Sequence, residues 1–362
     1  MEIVETESKV VVLNEQPEFS ACDGEEVSAS YFILCEEDDS SSLSKSVYDF
    51  KIAGMSILNW VVRVCDSQPT ILKVTKNQDI LRTIKPYISD TDYSVVLYAN
   101  TPLLNKGHIK DLLGFVSRKH MNACKLKKGY VFKNDYIAGV DEIYSIDTYD
   151  FASNDFFEVK TYDDLSYAGE ALAKKVINYH RKNGVWFENA ALSNIDATTE
   201  IGYSSSIASG VSILNHSLVL QNFKAGVGST ISNSKIGEDV KIGKNVVIED
   251  SVIKNGVIIE SGCHIKGSVL GNNVKIGACS KLIGAGIKDD STIQELSQVS
   301  NARIAESVVV GKGSKILGDK ITSIISKNSL VGANSEIVDS KLDEAIVIEA
   351  NSVIISNKKV NK

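Results

Sequence analysis

The sequence predicts two dissimilar domains, an α/β domain followed by a parallel β-helix of hexapeptide repeats. Three observations carry this reading. Apolar residues in the C-terminal half recur every six positions, all four prolines precede residue 103, and the N-terminal part alternates strand-like apolar runs with helical patterns.

A six-residue period fits neither an α-helix, near 3.6, nor an exposed strand, near 2. It fits a triangular coil in which each side is one short strand plus a corner. Ile195, Ile201, Ile207, Ile213, Val219, Ala225 and Ile231 keep the phase. After a one-residue slip it resumes at Ile236, Ile242 and Ile248. It returns at Ile259 and Ile265, Ile276 and Leu282, Ile293 and Val299, then Ile304, Val310 and Ile316, and last at Ile348 and Ile354. Each of these is read as the inward aliphatic of one side, with Gly, Ser, Asn and Asp at the corners, as in IGYSSS, IGEDVK, IGKNVV and VGKGSK. Coils of 18 residues, three hexapeptides each, then stack between about Ile195 and Ser356. A coil in such a stack uses its backbone donors on both neighbours, and proline would delete one. Pro17, Pro69, Pro86 and Pro102 all lie outside it.

Residues 161–184 read as one amphipathic helix. Asp163 and Asp164 stand near its start, Leu172, Val176 and Ile177 share a face, and Gly184 stops it. Such a helix suits a connector that covers the open end of the stack. Upstream, Lys9–Leu13, Tyr31–Leu34, Thr70–Val74 and Tyr93–Tyr98 read as buried strands. Met55–Val64 and His108–Lys119 read as helices, and the alternation implies a mostly parallel sheet. The expected division is an α/β domain over 1–160, a linking helix over 161–190, the β-helix over 191–356 and a tail over 357–362.

Composition narrows the function classes. The 362 residues are 43% hydrophobic and 23% charged, as in an ordinary globular protein. A net charge of −7 argues against broad nucleic-acid binding. The N-terminus is acidic with no signal-peptide-like apolar stretch, and no run reaches the roughly 20 apolar residues of a membrane span. A cytoplasmic location is therefore expected. Cys22, Cys35, Cys65, Cys124, Cys263 and Cys279 lie far apart, with no CxxC pair, so reduced thiols and no metal site are expected.

The order of domains, together with KIAGMSILNWVV (51–62), VVLYANTPLL (95–104), HRKNGVWFENA (180–190) and the repeat region, resembles a known family. It is the bifunctional N-acetylglucosamine-1-phosphate uridyltransferase / glucosamine-1-phosphate acetyltransferase family, which makes UDP-N-acetylglucosamine. The resemblance implies a nucleotidyltransferase-like, Rossmann-like first domain and a left-handed coil that trimerises, with acyl transfer between neighbouring chains. It also implies a sugar-phosphate or CoA ligand, with acetyl-CoA and Mg²⁺ as cofactors if the family activities survive.

The motifs that carry the chemistry are altered. The family follows its first strand with a glycine-rich loop ending in arginine, whose N–H groups close on phosphates. Here YFIL is followed by Cys35 and four carboxylates, Glu36, Glu37, Asp38 and Asp39. A carboxylate ~4 Å from a phosphate charge costs roughly 1–4 kcal/mol per pair, depending on screening. Where the family has the aspartate that holds Mg²⁺, this chain has Asn100, a neutral and weaker ligand. The stretch that would contact uracil, between the Met55–Val64 helix and the Tyr93–Tyr98 strand, is shortened.

In the coil, the family's histidine base stands in Lys-x-x-His-Leu-x-Tyr-x-Gly-Asp-Ala. The corresponding run is Thr292-Ile293-Gln294-Glu295-Leu296-Ser297-Gln298-Val299-Ser300-Asn301-Ala302. Glu295 occupies the histidine position and can act as a base if burial raises its pKa. Gln298 and Asn301 stand with Asn100 at the altered substrate-binding positions. The family's later loop at the acetyl-CoA site has no counterpart, Gly318–Thr322 being too brief.

Other polar residues are read as structural. His264 should point outward beside Ile265, and His180 should sit as a cation near a helix C-terminus. His216 lies in an Asn-His-Ser corner that faces solvent or a groove between chains, and Lys281 and Lys288 are solvated lysines or anion contacts. Two readings follow: a diverged transferase of amino-sugar or cell-envelope precursor metabolism, or a non-catalytic oligomeric scaffold on which the chemistry has been abandoned.

Overall fold

The computed structural model describes residues 27–37, 46–76, 78–143, 146–149 and 155–355. Lys9–Leu13, most of the acidic loop after Glu37 and the 357–362 tail fall outside these residues. The chain divides into two compact units at Ala173/Lys174, inside the helix Tyr162–Lys182.

The first unit is a sheet covered on both faces. Its strands are β1 (Ala29–Glu37), β2 (Thr70–Thr75), β3 (Tyr93–Tyr98), β4 (Ala123–Leu126), β5 (Gly129–Lys133) and β6 (Asp147–Thr148), in the order β2-β1-β3-β5-β4-β6. β1 pairs in parallel with β2 and β3, whereas β5 is antiparallel to both β3 and β4. The sheet is thus mixed rather than mostly parallel. The difference is the hairpin β4–β5, whose two-residue turn, Lys127-Lys128, is closed by Leu126 pairing with Gly129. A Cβ on Gly129, at φ +137°, would stand 2.5 Å from the Val96 carbonyl, so the turn demands glycine.

β3 is buried along its whole length because both neighbours and both helical layers cover it. β2, read from sequence as buried, is an edge strand instead, with Ile71 48% exposed. One face packs Ile33, Val95 and Leu97 against α1 (Ile57–Val62) and α3 (Lys106–Arg118). The other packs Phe32, Leu34 and Val96 against α2 (Ile80–Ile84) and α4 (Asn134–Ala138). α1 is shorter than expected. Met55 and Ser56 pair back onto Lys51 and Ile52 through a turn with positive φ at Ala53 and Gly54, and Ser56 then caps the helix through Asn59 N–H.

The second unit holds a left-handed parallel β-helix. The preceding helix starts at a reciprocal cap in which the Asp164 carboxylate accepts from Thr161 N–H and Thr161 Oγ1 accepts from Asp164 N–H. It stops before Gly184, at φ +81°, as expected. Trp186–Phe187 then pairs with Ser206–Ile207 as the first rung of the third face. The three faces hold ten, nine and ten stacked strands.

The expected coil length needs correction. Ile213 pairs with Ile231, 18 residues on, but Ile231 pairs with Ile248 and Ile248 with Ile265, each 17 residues on. The one-residue slip recurs at the same corner in successive coils, between the first face and the second. It brings Ile253, Leu270 and Ile287 into the core alongside the expected residues. Asn233, Asp250, Gly267, Gly284, Asn301 and Asp339 turn that corner at φ of 46–59°, the region those residue types tolerate. Buried serines line its inside: Ser251 N–H donates to Ser234 Oγ and Ser268 N–H to Ser251 Oγ, each at 3.1 Å, so corner amides find acceptors away from water. One coil is longer, Ile304 pairing with Ile325, 21 residues on, and the extra residues form the loop Gly318–Thr322. Among the described residues no helix is long and apolar enough to cross a membrane.

Candidate functional site

The first candidate site is the crevice at the carboxyl ends of β1 and β3. There the strand order reverses around β1, the place where open α/β sheets hold ligands. β1 delivers Glu36 and β3 delivers Tyr98 and Asn100. The β4–β5 turn sends Lys128 across the crevice, its ammonium 4.2 Å from the centre of the Tyr98 ring. Lys128 Nζ lies 3.1 Å from Glu36 Oε2 and 3.2 Å from Glu158 Oε2. Lys160 Nζ reaches the same Glu158 oxygen at 2.9 Å. The side chains of Lys128, Glu36 and Glu158 are only 19%, 20% and 26% exposed, so water screens these pairs incompletely. Burial pushes the Glu158 carboxyl up, but the hydrogen bond from Lys160 and the charge of Lys128 outweigh it and hold it below the ordinary carboxylate range. Burial, with Tyr130 and the two glutamates adding to it, keeps the Tyr98 phenol protonated.

Asn100 is fixed by its backbone. Its carbonyl accepts from Val159 N–H at 2.9 Å, and the next residue, Thr101, is buried and donates from Oγ1 to Tyr98 O at 2.7 Å. The carboxylates near Asn100, Glu36 and Glu158, already share the Lys128 ammonium, which a Mg²⁺ ion bound to them would have to displace. No local sequence pattern singles out Lys128 or Glu158. The nearest signal is the KLKKGYVF turn, which reads as a hairpin only once β5 is recognised as antiparallel.

The second candidate site is the coil around Glu295. Glu295 sits at the corner between the third and first faces, and its carboxylate is 44% exposed and 3.1 Å from Lys312 Nζ. Its own backbone N–H and the Lys312 hydrogen bond hold it below the ordinary carboxylate range. The condition for a base of raised pKa is therefore not met. Gln298 lies on the outer surface of the first face and donates to Ser300 Oγ at 3.5 Å. Asn301 occupies the next corner, at φ 47°, and donates to the Gly318 carbonyl at 3.3 Å. The strand Gln298–Ser300 separates Glu295 from Asn301, so the two stand a full face apart.

Two surface grooves of the solenoid contain none of these three residues. One, of about 400 Å³, lies on the third face around Ile258 and Glu260; the other, of about 510 Å³, lies on the second face around Gly286 and Arg303. His264 points outward as expected, stacked between Val247 and Lys281. His216 turns a corner at φ 56° and donates its N–H to Thr198 Oγ1. Lys281 is exposed on the first face, and Lys288 lies 3.7 Å from Glu306.

His180 departs from expectation. It is 1% exposed rather than a solvated cation, neither ring nitrogen has a hydrogen-bond partner among the described residues, and burial lowers its pKa to about 4. The loop Gly318–Thr322 is also better anchored than its length suggested. The N–H groups of Asp319, Lys320 and Ile321 all donate to Asp339 Oδ1, at 2.8, 2.9 and 3.1 Å. Those donors hold the Asp339 carboxyl below its usual range.

Residues 233–267 match the protein-family model for the bacterial transferase hexapeptide (six repeats). The chain is 27% identical over 127 residues to the bifunctional protein GlmU of Alkaliphilus metalliredigens, covering 35% of this chain and 23% of that protein. It is 33% identical over 118 residues to the GlmU of Staphylococcus haemolyticus, covering 32% and 24%. It is 46% identical over 50 residues to a glucose-1-phosphate adenylyltransferase of Desulforamulus reducens, covering 14% and 12%. The chain thus spans about a quarter or less of the length of these curated relatives.

Proposed function

We propose that this chain is a diverged, GlmU-like hexapeptide-repeat protein in which both family reactions have been abandoned and the fold serves as an oligomeric scaffold. The observation that carries the reading is the ammonium of Lys128 between Glu36 and Glu158, in the crevice where a nucleotide's phosphates and metal would have to sit. A triphosphate entering there meets two carboxylates already paired with Lys128 and Lys160, and each pair of like charges ~4 Å apart costs roughly 1–4 kcal/mol, depending on screening. The coil supports the same reading from its own residues. Glu295 is tied to Lys312, and Asn301 is part of a corner rather than of a pocket.

The scaffold is a homotrimer through the β-helix, as in the resembled family. Its location is the cytoplasm, where Cys35, Cys65, Cys124, Cys263 and Cys279 stay free thiols. Two transfer assays test the loss of chemistry: acetyl-CoA with glucosamine-1-phosphate, and UTP with N-acetylglucosamine-1-phosphate and Mg²⁺. The expected result is turnover no higher than in a heat-killed control, and reproducible turnover in either assay overturns the reading. Light scattering on the eluting peak should give three copies of the 39.3-kDa chain, and a monomer at micromolar concentration removes the oligomeric part.

A further inference from the structure

We propose that the second face of the solenoid binds a small molecule with an apolar body and one phosphate or carboxylate group, held by Arg303 across Gly286. The outward positions of this face run Val252, Val269, Gly286, Arg303 and Ile324 on successive rungs. Gly286 therefore leaves a gap in a column of side chains. Arg303, from the next rung, lies over the gap: a Cβ on Gly286 would stand 2.9 Å from its Nη1 and 3.0 Å from its Cδ. The result is a groove of about 510 Å³, within the range of small-molecule sites, with Val269 and Ile324 on its floor and Lys254 and Lys327 at its edges.

Of the four cations in the lining, Lys254, Lys288, Arg303 and Lys327, two are already paired. Lys288 and Lys327 both face Glu306, at 3.7 and 2.8 Å. Asp289 accepts from the Asn272 backbone N–H and Nδ2, at 2.8 and 3.0 Å, so both its oxygens are engaged. Arg303 is exposed and, among the described residues, has no carboxylate within ion-pair distance. Its planar fork is matched in shape by a carboxylate or a phosphate. The ladder beneath is hydrogen-bonded on both sides, which leaves no backbone edge for a peptide strand to join. Recognition must come from side chains, and these offer apolar Val269 and Ile324, the Arg303 guanidinium and the Lys254 ammonium, with the Glu344 carboxylate also in the lining.

The test is isothermal titration of the full chain with hexyl phosphate and with hexanoate, using inorganic phosphate and hexanol as half-ligands. At least one of the two amphiphiles should bind saturably and more tightly than either half-ligand, and the better of the two identifies the anion class. Arg303→Ala should weaken that binding by about tenfold or more. Gly286→Val, which fills the gap with a side chain that other rungs already carry, should abolish it without lowering the melting temperature. No saturable binding of either amphiphile, or binding unchanged in Arg303→Ala, overturns the proposal. Neither outcome touches the scaffold reading, which rests on other residues.

Discussion

The solenoid and the α/β unit use polar groups in opposite ways. In the solenoid, buried serines and corner asparagines bond within their own rung or to the rung above or below, so these polar groups serve the repeat that carries them. Such a unit is stabilised by interfaces between neighbouring coils, and its chemistry can drift without loss of shape. In the α/β unit, Glu36, Lys128 and the Glu158–Lys160 segment meet from three separate places in the chain, at the carboxyl ends of β1 and β3. Polar convergence of that kind marks a site, and here the carboxylates and ammonium groups pair with one another. Whether a ligand can compete for those charges decides between the scaffold we propose and a working site.

The largest effect expected concerns the solenoid core. Ile265→Ala, at a fully buried inward position, should cost about 2–5 kcal/mol. The same change at Ile258, an outward residue 39% exposed, should cost less than about 1 kcal/mol. Denaturant melts of both variants check this, and equal losses would break the inside–outside assignment. Next comes acid stability. The unfolded chain protonates His180 near pH 6.5, whereas burial holds the folded residue neutral down to about pH 4. Stability should therefore fall as the pH drops through that window, by about 3 kcal/mol in all. His180→Leu should flatten the fall between pH 6.5 and 4.5, above the range where the depressed carboxyls of Glu158 and Asp339 begin to titrate. A pH series of melts distinguishes the two.

A smaller effect sharpens the account of the crevice. Lys128→Ala leaves Glu36 and Glu158 without their shared cation and should destabilise the α/β unit by roughly 1–2 kcal/mol, less than a fully buried pair because all three groups keep some solvent. Lys128→Met, which keeps the apolar stem over Tyr98, should lose nearly as much if charge dominates and much less if packing does. The smallest change is local. Asp339→Gly keeps the positive-φ corner but removes the acceptor shared by three amides, so hydrogen exchange at Asp319, Lys320 and Ile321 should quicken more than elsewhere in the solenoid.

Much of the solenoid was legible because a six-residue period has few competing explanations, and the inward residues from Ile195 to Ile348 are buried as that period requires. What misled was one residue per coil. With 18-residue coils Gly286 would stack on Ile304, inward against outward; with 17 it stacks on Arg303, and a groove appears. A single-residue error in register inverts every facing relation. The same geometry sets Glu295 and Asn301, six positions apart, on different corners: six residues span one whole side of the prism, about 20 Å of extended chain. In the α/β unit the parallel strands β1, β2 and β3 were readable from apolar runs. β4 and β5 are short and mixed in composition, and the cation they supply comes from the turn between them, which no local pattern ties to Glu36, 92 residues earlier.

The most direct test of whether the crevice has closed to its old chemistry is a calorimetric titration of the full chain with Mg²⁺ and UTP. Heats no larger than dilution up to millimolar nucleotide are predicted, because Lys128 is already claimed by two carboxylates. A saturable isotherm at micromolar nucleotide, lost in Lys128→Ala, would show that the lysine serves phosphate after all and would contradict the account.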